Sequence, residues 1–119
     1  MTPDYLKKRT KQFGLNIIRL IETLPKTQTV SVIGNQLLRC ATSVGANYRS
    51  ACKSRSRTEF IAKLGVVEDE ADESVYWLEM LIEARIIKPD LVTGLLNEAH
   101  ELTEIIAASR KTAKSNKEN

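Results

Sequence analysis

The side chains able to do chemistry in this 119-residue chain are few, and their spacing argues against most of it. There is one histidine, His100, and the position three residues before it is Asn97. The Glu-x-x-His pair used by di-metal bundles is therefore missing. The two cysteines, Cys40 and Cys52, fall on one expected helix, ~18 Å apart along its axis, too far to bridge. They read as small core residues, and a nucleophilic thiol would need a base that a lone histidine on another helix does not supply. The acids Glu68, Asp69, Glu70, Asp72 and Glu73 spread around a helix instead of converging, while Glu59 and Lys63 form an i,i+4 pair. No phosphate loop of the G-x-x-x-x-G-K type occurs, and the five glycines (Gly14, Gly34, Gly45, Gly65, Gly94) all fall within expected helices. The expectation is a chain with no catalytic residues, no metal site, no cofactor and no small-molecule substrate.

What the sequence offers instead is positive charge. No acid occurs between Thr23 and Thr58, whereas Lys26, Arg39, Arg49, Lys53, Arg55 and Arg57 do. On a helix, Arg39, Arg49 and Lys53 would share the face opposite the core, and Arg55 and Arg57 would carry it through the following turn. Such a surface binds polyanions through phosphate contacts and counterion release, with little reading of base sequence. Arg39, Arg49, Lys53, Arg55 and Arg57 are thus the candidate nucleic-acid-binding residues for RNA or DNA, with Lys7, Lys8, Arg9 and Lys11 extending the surface. Aromatic residues make up only 5% of the chain, too few for a single-strand stacking platform. The alternative is a protein–protein interaction scaffold with no nucleic-acid binding.

These residues must be positioned by helices, because apolar residues recur at three- and four-residue steps throughout. The pattern predicts helices over about 4–24, 30–53, 57–86 and 89–112. Core stripes run through Leu6, Phe13, Ile17, Leu20, Ile21 and Leu24; through Val30, Ile33, Leu37, Ala41, Val44, Tyr48 and Ala51; through Phe60, Leu64, Val67, Ala71, Val75, Leu78 and Ile82; and through Leu91, Leu95, Ala99, Leu102 and Ile106. Pro25 ends the first helix. Ser56 and Glu59 form a capping box at the start of the third, and Pro89 opens the fourth. Residues 114–119 carry no apolar anchor and are expected as a disordered tail. Short connections make sequential helices antiparallel neighbours. The fold class is all-α: one domain over 1–113, an up-down-up-down antiparallel four-helix bundle.

The third helix is apolar on two sides. Ala62, Val66, Tyr76, Trp77, Met80 and Ala84 lie away from its core stripe, where a helix of a monomeric bundle is normally polar. The expected reason is a homo-oligomer that buries this face against a neighbouring subunit.

Composition adds limits. Hydrophobic residues are 42% and charged residues 28%, an ordinary globular balance. No apolar run approaches the ~18 residues of a membrane span, and the apolar stretch Asn16–Leu24 carries Arg19 and Glu22, unlike a signal peptide. A soluble, cytoplasmic protein is expected. The net charge of +3 hides segregation, since residues 64–104 hold eleven acids against Arg85 and Lys88 while the flanking segments are all basic. A molecule with a basic side and an acidic side follows.

The segment Leu37–Cys52 with its TSVGANY core (Thr42–Tyr48), followed by Ser54–Leu64, resembles the signature of the bacterial four-helix bundle protein family. That family is also called the 23S ribosomal RNA intervening-sequence protein family, or S23 ribosomal protein. Glu70–Glu73 with Tyr76–Glu79 resembles its third-helix motif. The resemblance implies an up-down bundle assembled as a homopentameric ring. It also implies nucleic-acid binding, by kinship with the accessory variability protein of diversity-generating retroelements, and no established enzymatic activity.

Overall fold

A computed structural model describes residues 1–118, which form four helices and no strand: α1 Pro3–Glu22, α2 Gln28–Ala51, α3 Arg57–Glu83 and α4 Pro89–Glu118. Three of the starts are capped by hydroxyls. Thr2 accepts from the Tyr5 N–H at 3.1 Å, Thr27 from Val30 at 3.2 Å and Ser56 from Glu59 at 3.1 Å. The capping box at α3 is half formed. The Glu59 carboxylate accepts from the Arg55 N–H at 3.3 Å and not from Ser56, and it pairs with Lys63 at 3.1 Å.

Chain ends differ from expectation for local reasons. α3 stops at Glu83, not 86, because Arg85 turns left-handed at φ 60°. The Arg85 N–H then donates to the Ile82 carbonyl and the Ile86 N–H to the Leu81 carbonyl, both at 3.0 Å, the paired bonds of a Schellman stop. α4 continues to Glu118 through the stretch expected as a tail, since 105–116 holds good helix formers and no Gly or Pro. Ala113 is buried there. Asn119 lies outside the described residues.

The helices pack as an antiparallel bundle of 51 × 21 × 20 Å. Gly14 faces Ala41 and Thr42, while Gly45 faces Thr10 and Lys11, so α1 and α2 run in opposite directions. Lys63 donates to Ser50 and Ser74 to Cys40, which sets α3 against α2 in the same sense. At Gly45 the approach is tightest: a Cβ would lie 3.2 Å from the Lys11 backbone nitrogen. The α1–α4 contact is the sparsest of the neighbouring pairs.

Every residue of the expected α2 stripe is buried. In α3 the buried set includes Ile61 and Leu81, with Phe60 and Ile82 only partly covered. This helix packs on both α2 and α4, so its buried arc is wider than a single stripe. In α4 Val92 is buried in place of Leu91, which is 65% exposed. Two polar side chains are buried and satisfied: Thr10 donates to the Leu6 carbonyl at 2.7 Å and Ser74 to the Glu70 carbonyl at 2.8 Å. No helix is long and apolar enough to cross a membrane among the described residues.

A candidate polyanion-binding pole

Antiparallel order brings the start of α1, the end of α2, the start of α3 and the end of α4 to one end of the bundle. These segments (1–11, 49–63 and 105–116) contain twelve of the eighteen Lys and Arg residues, and their only acids are Asp4 and Glu59. A groove at this end confirms the placement, being lined by Met1, by Ser54–Arg57 with Phe60, and by α4 residues from Ile105 to Asn116.

Four of these cations are occupied. Arg9 donates two bonds to Glu98, from Nε at 2.8 Å and from Nη2 at 2.6 Å, and also reaches Glu101 at 3.3 Å. The side-chain bond to Glu98 pushes the Arg9 pKa up against the opposing effect of burial. This residue, expected on the binding surface, is instead a clamp between α1 and α4. Lys63 pairs with Glu59 and Arg110 with Glu68 at 3.6 Å, while Lys7 lies 3.9 Å from Asp4. The remaining eight, Lys8, Lys11, Arg49, Lys53, Arg55, Arg57, Lys111 and Lys114, are exposed and have no ion-pair partner among the described residues.

Of the five residues singled out from sequence, four belong to this pole. Arg39 does not. It turns toward α3, donating to Glu70 at 3.1 Å and pairing with Glu73. At ~100° per residue Arg39 and Arg49 stand ~80° apart around α2, enough to aim them at different neighbours, α3 for Arg39 and α1 for Arg49. The bond to Glu73 raises the Arg39 pKa. The Glu73 carboxyl is lowered first by the indole N–H of Trp77, which donates at 2.9 Å, and then by Arg39. Sequence reasoning missed Lys111, which it placed in the fourth helix without linking it to the basic face, and Lys114, which it placed in the tail; their signal was the basic C-terminal segment combined with antiparallel order.

The second apolar face of α3 is partly covered. Ala62, Val66, Tyr76 and Ala84 stand exposed, with Val66 at 45% and Tyr76 at 51%. Trp77 and Met80 are half-buried, and Trp77 packs on the core with the Tyr76 ring edge-on to it, centroids 4.9 Å apart.

The groups with catalytic potential are dispersed. Cys40 and Cys52 are both free thiols. Burial pushes the Cys40 pKa up, which disfavours the reactive thiolate. His100 is exposed, and no three metal-ligating side chains come together among the described residues.

Residues 6–108 match the family described as 23S rRNA-intervening sequence protein. The chain belongs to this family. A crystal structure of a protein of unknown function from the S23 ribosomal protein family, from Bacteroides thetaiotaomicron VPI-5482, shares 33% sequence identity with a TM-score of 0.86. The similarity covers 93% of this chain and 99% of that one. No curated protein matches the chain. The descriptions of the intervening-sequence family and of its S23 relative name no reaction.

Proposed function

We propose that this intervening-sequence family protein is a non-enzymatic homo-oligomer whose basic pole binds the phosphate backbone of RNA or DNA. The observation that carries the reading is the set of eight exposed cations, drawn from all four helices and the α2–α3 turn, that have no ion-pair partner among the described residues. Lys53, Arg55, Arg57, Lys111 and Lys114 form its tip, and Lys8, Lys11 and Arg49 its flank. Phosphates meeting this surface release condensed counterions, a driving force independent of base sequence. The family's description, which refers to 23S rRNA, favours an RNA ligand. Self-association rests on the exposed strip of α3 with Val66 and Tyr76, and the family resemblance implies five copies in a ring.

Fluorescence anisotropy with labelled duplex RNA and duplex DNA tests the pole. If five phosphates are contacted, log K falls against log salt with a slope of about −4 to −5. The triple substitution Lys53→Glu, Arg55→Glu, Arg57→Glu is expected to abolish most of this slope and weaken binding about 100-fold. Arg39→Ala is expected to leave affinity unchanged. Absence of binding at low salt, or a triple variant that binds like the parent, would overturn the proposal.

A further inference from the structure

The groove at the tip of the pole, between the start of α3 and the end of α4, has a volume of about 890 Å³, within the ~300–1,000 Å³ range of small-ligand sites. Its lining divides by chemistry. Arg55 and Arg57 supply charge, and no acid lines the groove among the described residues. Phe60 and Ile105, partly covered and packed on the core, form its apolar part. From α4, Ser109, Thr112 and Asn116 bring hydrogen-bonding groups. The Ser54 hydroxyl, also in the lining, is shielded from solvent and has no hydrogen-bond partner among the described residues, a cost to the fold until something bonds to it. The α1–α4 groove, of about 860 Å³, contains Asp90 and Glu98 and repels an anion.

Duplex phosphates would use only the charged part of this groove and leave Phe60 and Ile105 unmatched. A ligand that uses all of it carries an anion beside a flat apolar body with hydrogen-bonding edges. We infer that the groove takes one unpaired nucleotide of the bound nucleic acid, its phosphate at Arg55 and Arg57 and its base against Phe60 and Ile105. The start of α3 adds to the phosphate end, because the Arg57 and Thr58 N–H groups lack intrahelical acceptors and the helix dipole is positive there. A base within a duplex is stacked and paired and cannot enter, whereas an unpaired base offers both its face and its edges. Two phenylalanines, three tyrosines and one tryptophan cannot stack a run of bases, but one ring serves one base. The ligand is a strand and not a free nucleotide, since Lys53, Lys111 and Lys114 stand exposed outside the groove lining and exceed what one phosphate needs.

This inference rests on the phosphate-binding pole proposed above, and one anisotropy experiment separates the two. The probes are a short perfect RNA duplex, the same duplex with a central single-adenosine bulge, and that bulge made abasic, which keeps the phosphate and removes the base. The adenosine bulge is expected to bind about tenfold tighter than the abasic one. Both bulges should show the same salt slope, because the base brings no charge. Ala108→Leu/Thr112→Leu fills the groove at two exposed lining positions without changing charge, and circular dichroism verifies the fold. This variant is expected to lose the preference for adenosine while binding the perfect duplex like the parent. If the perfect duplex does not bind at low salt, the pole itself fails. If the duplex binds but the two bulges bind alike, or if the filled variant keeps the preference, the pole stands and the nucleotide groove is overturned.

Discussion

The basic pole and the wall where α3 meets α2 are both charged, yet the structure uses them in opposite ways. On the wall, Arg39 lies between Glu70 and Glu73, and Glu73 also accepts from the Trp77 indole, so that each charge holds another in place. At the pole, Lys53, Arg55 and Arg57 are exposed with no ion-pair partner among the described residues. What separates them is whether the partner is already inside the molecule. A cation with an internal partner has little left to offer a phosphate, whereas an unpaired cation repels its neighbours until something neutralises it.

The sharpest way to break that distinction is to compare two cations one residue apart in α1. Arg9 sits in a two-bond clamp with Glu98, its side chain 18% exposed and that of Glu98 26% exposed. Arg9→Ala leaves a half-buried carboxylate without its donor, and a loss of about 2 kcal/mol is expected in urea denaturation. Lys8→Ala removes an exposed, unpaired charge and is expected to change stability by less than ~0.5 kcal/mol. In the anisotropy assay the order reverses, with Lys8→Ala weakening binding more than Arg9→Ala. Equal stability losses for the two would mean that the α1–α4 clamp contributes nothing to the fold.

A smaller effect concerns packing beneath the pole. Gly45 lets α2 approach α1 so closely that a methyl group would meet the Thr10 and Lys11 backbone at 3.2–3.3 Å. Backbone cannot step aside as a flexible side chain can, so the gain in helix propensity from Gly45→Ala, up to ~1 kcal/mol, is outweighed by strain. A net loss of ~1 kcal/mol is expected. At Gly94, where a Cβ meets nothing within 4 Å, the same substitution is expected to stabilise. A melting temperature that rises for both would show that the α1–α2 contact has slack.

How much of this was legible in advance follows from how local each feature is. The α2 stripe, from Val30 to Ala51, was readable because its three- and four-residue steps are unbroken and each of its residues is buried, with Gly34 and Cys40 widening the same face. The α3 stripe was shifted at both ends, where Ile61 and Leu81 are buried while Phe60 and Ile82 are only partly covered. The stop at Arg85 carried no sequence signal, since Gly or Asn is the usual left-handed residue there. The basic surface was half legible. Arg49, Lys53, Arg55 and Arg57 are close in sequence, but Lys111 and Lys114 join them only through antiparallel topology. Arg39 looked the same as Arg49 along the chain, and its pairing depends on acids 31 and 34 residues away.

The smallest expected effect tests the wall itself, through pH. Because Trp77 and then Arg39 stabilise its charged form, the Glu73 carboxyl is held below its ordinary value of 4.5. The unfolded chain, lacking these partners, takes up the proton at higher pH than the folded one does. Stability from this group is therefore fully present above pH 4.5 and is lost as pH falls through the lowered folded value. Glu73→Gln is expected to cost little at neutral pH on this half-exposed site, and to flatten the fall in urea midpoint between neutral and acid pH. Glu59, lowered by its bond to Lys63, retains its share of the acid sensitivity in that variant. Only the slope assigned to Glu73 should disappear. An unchanged slope would place the acid sensitivity in other groups and reduce the Arg39–Glu73–Trp77 chain to a contact without energetic consequence, in which case the wall would resemble the pole after all.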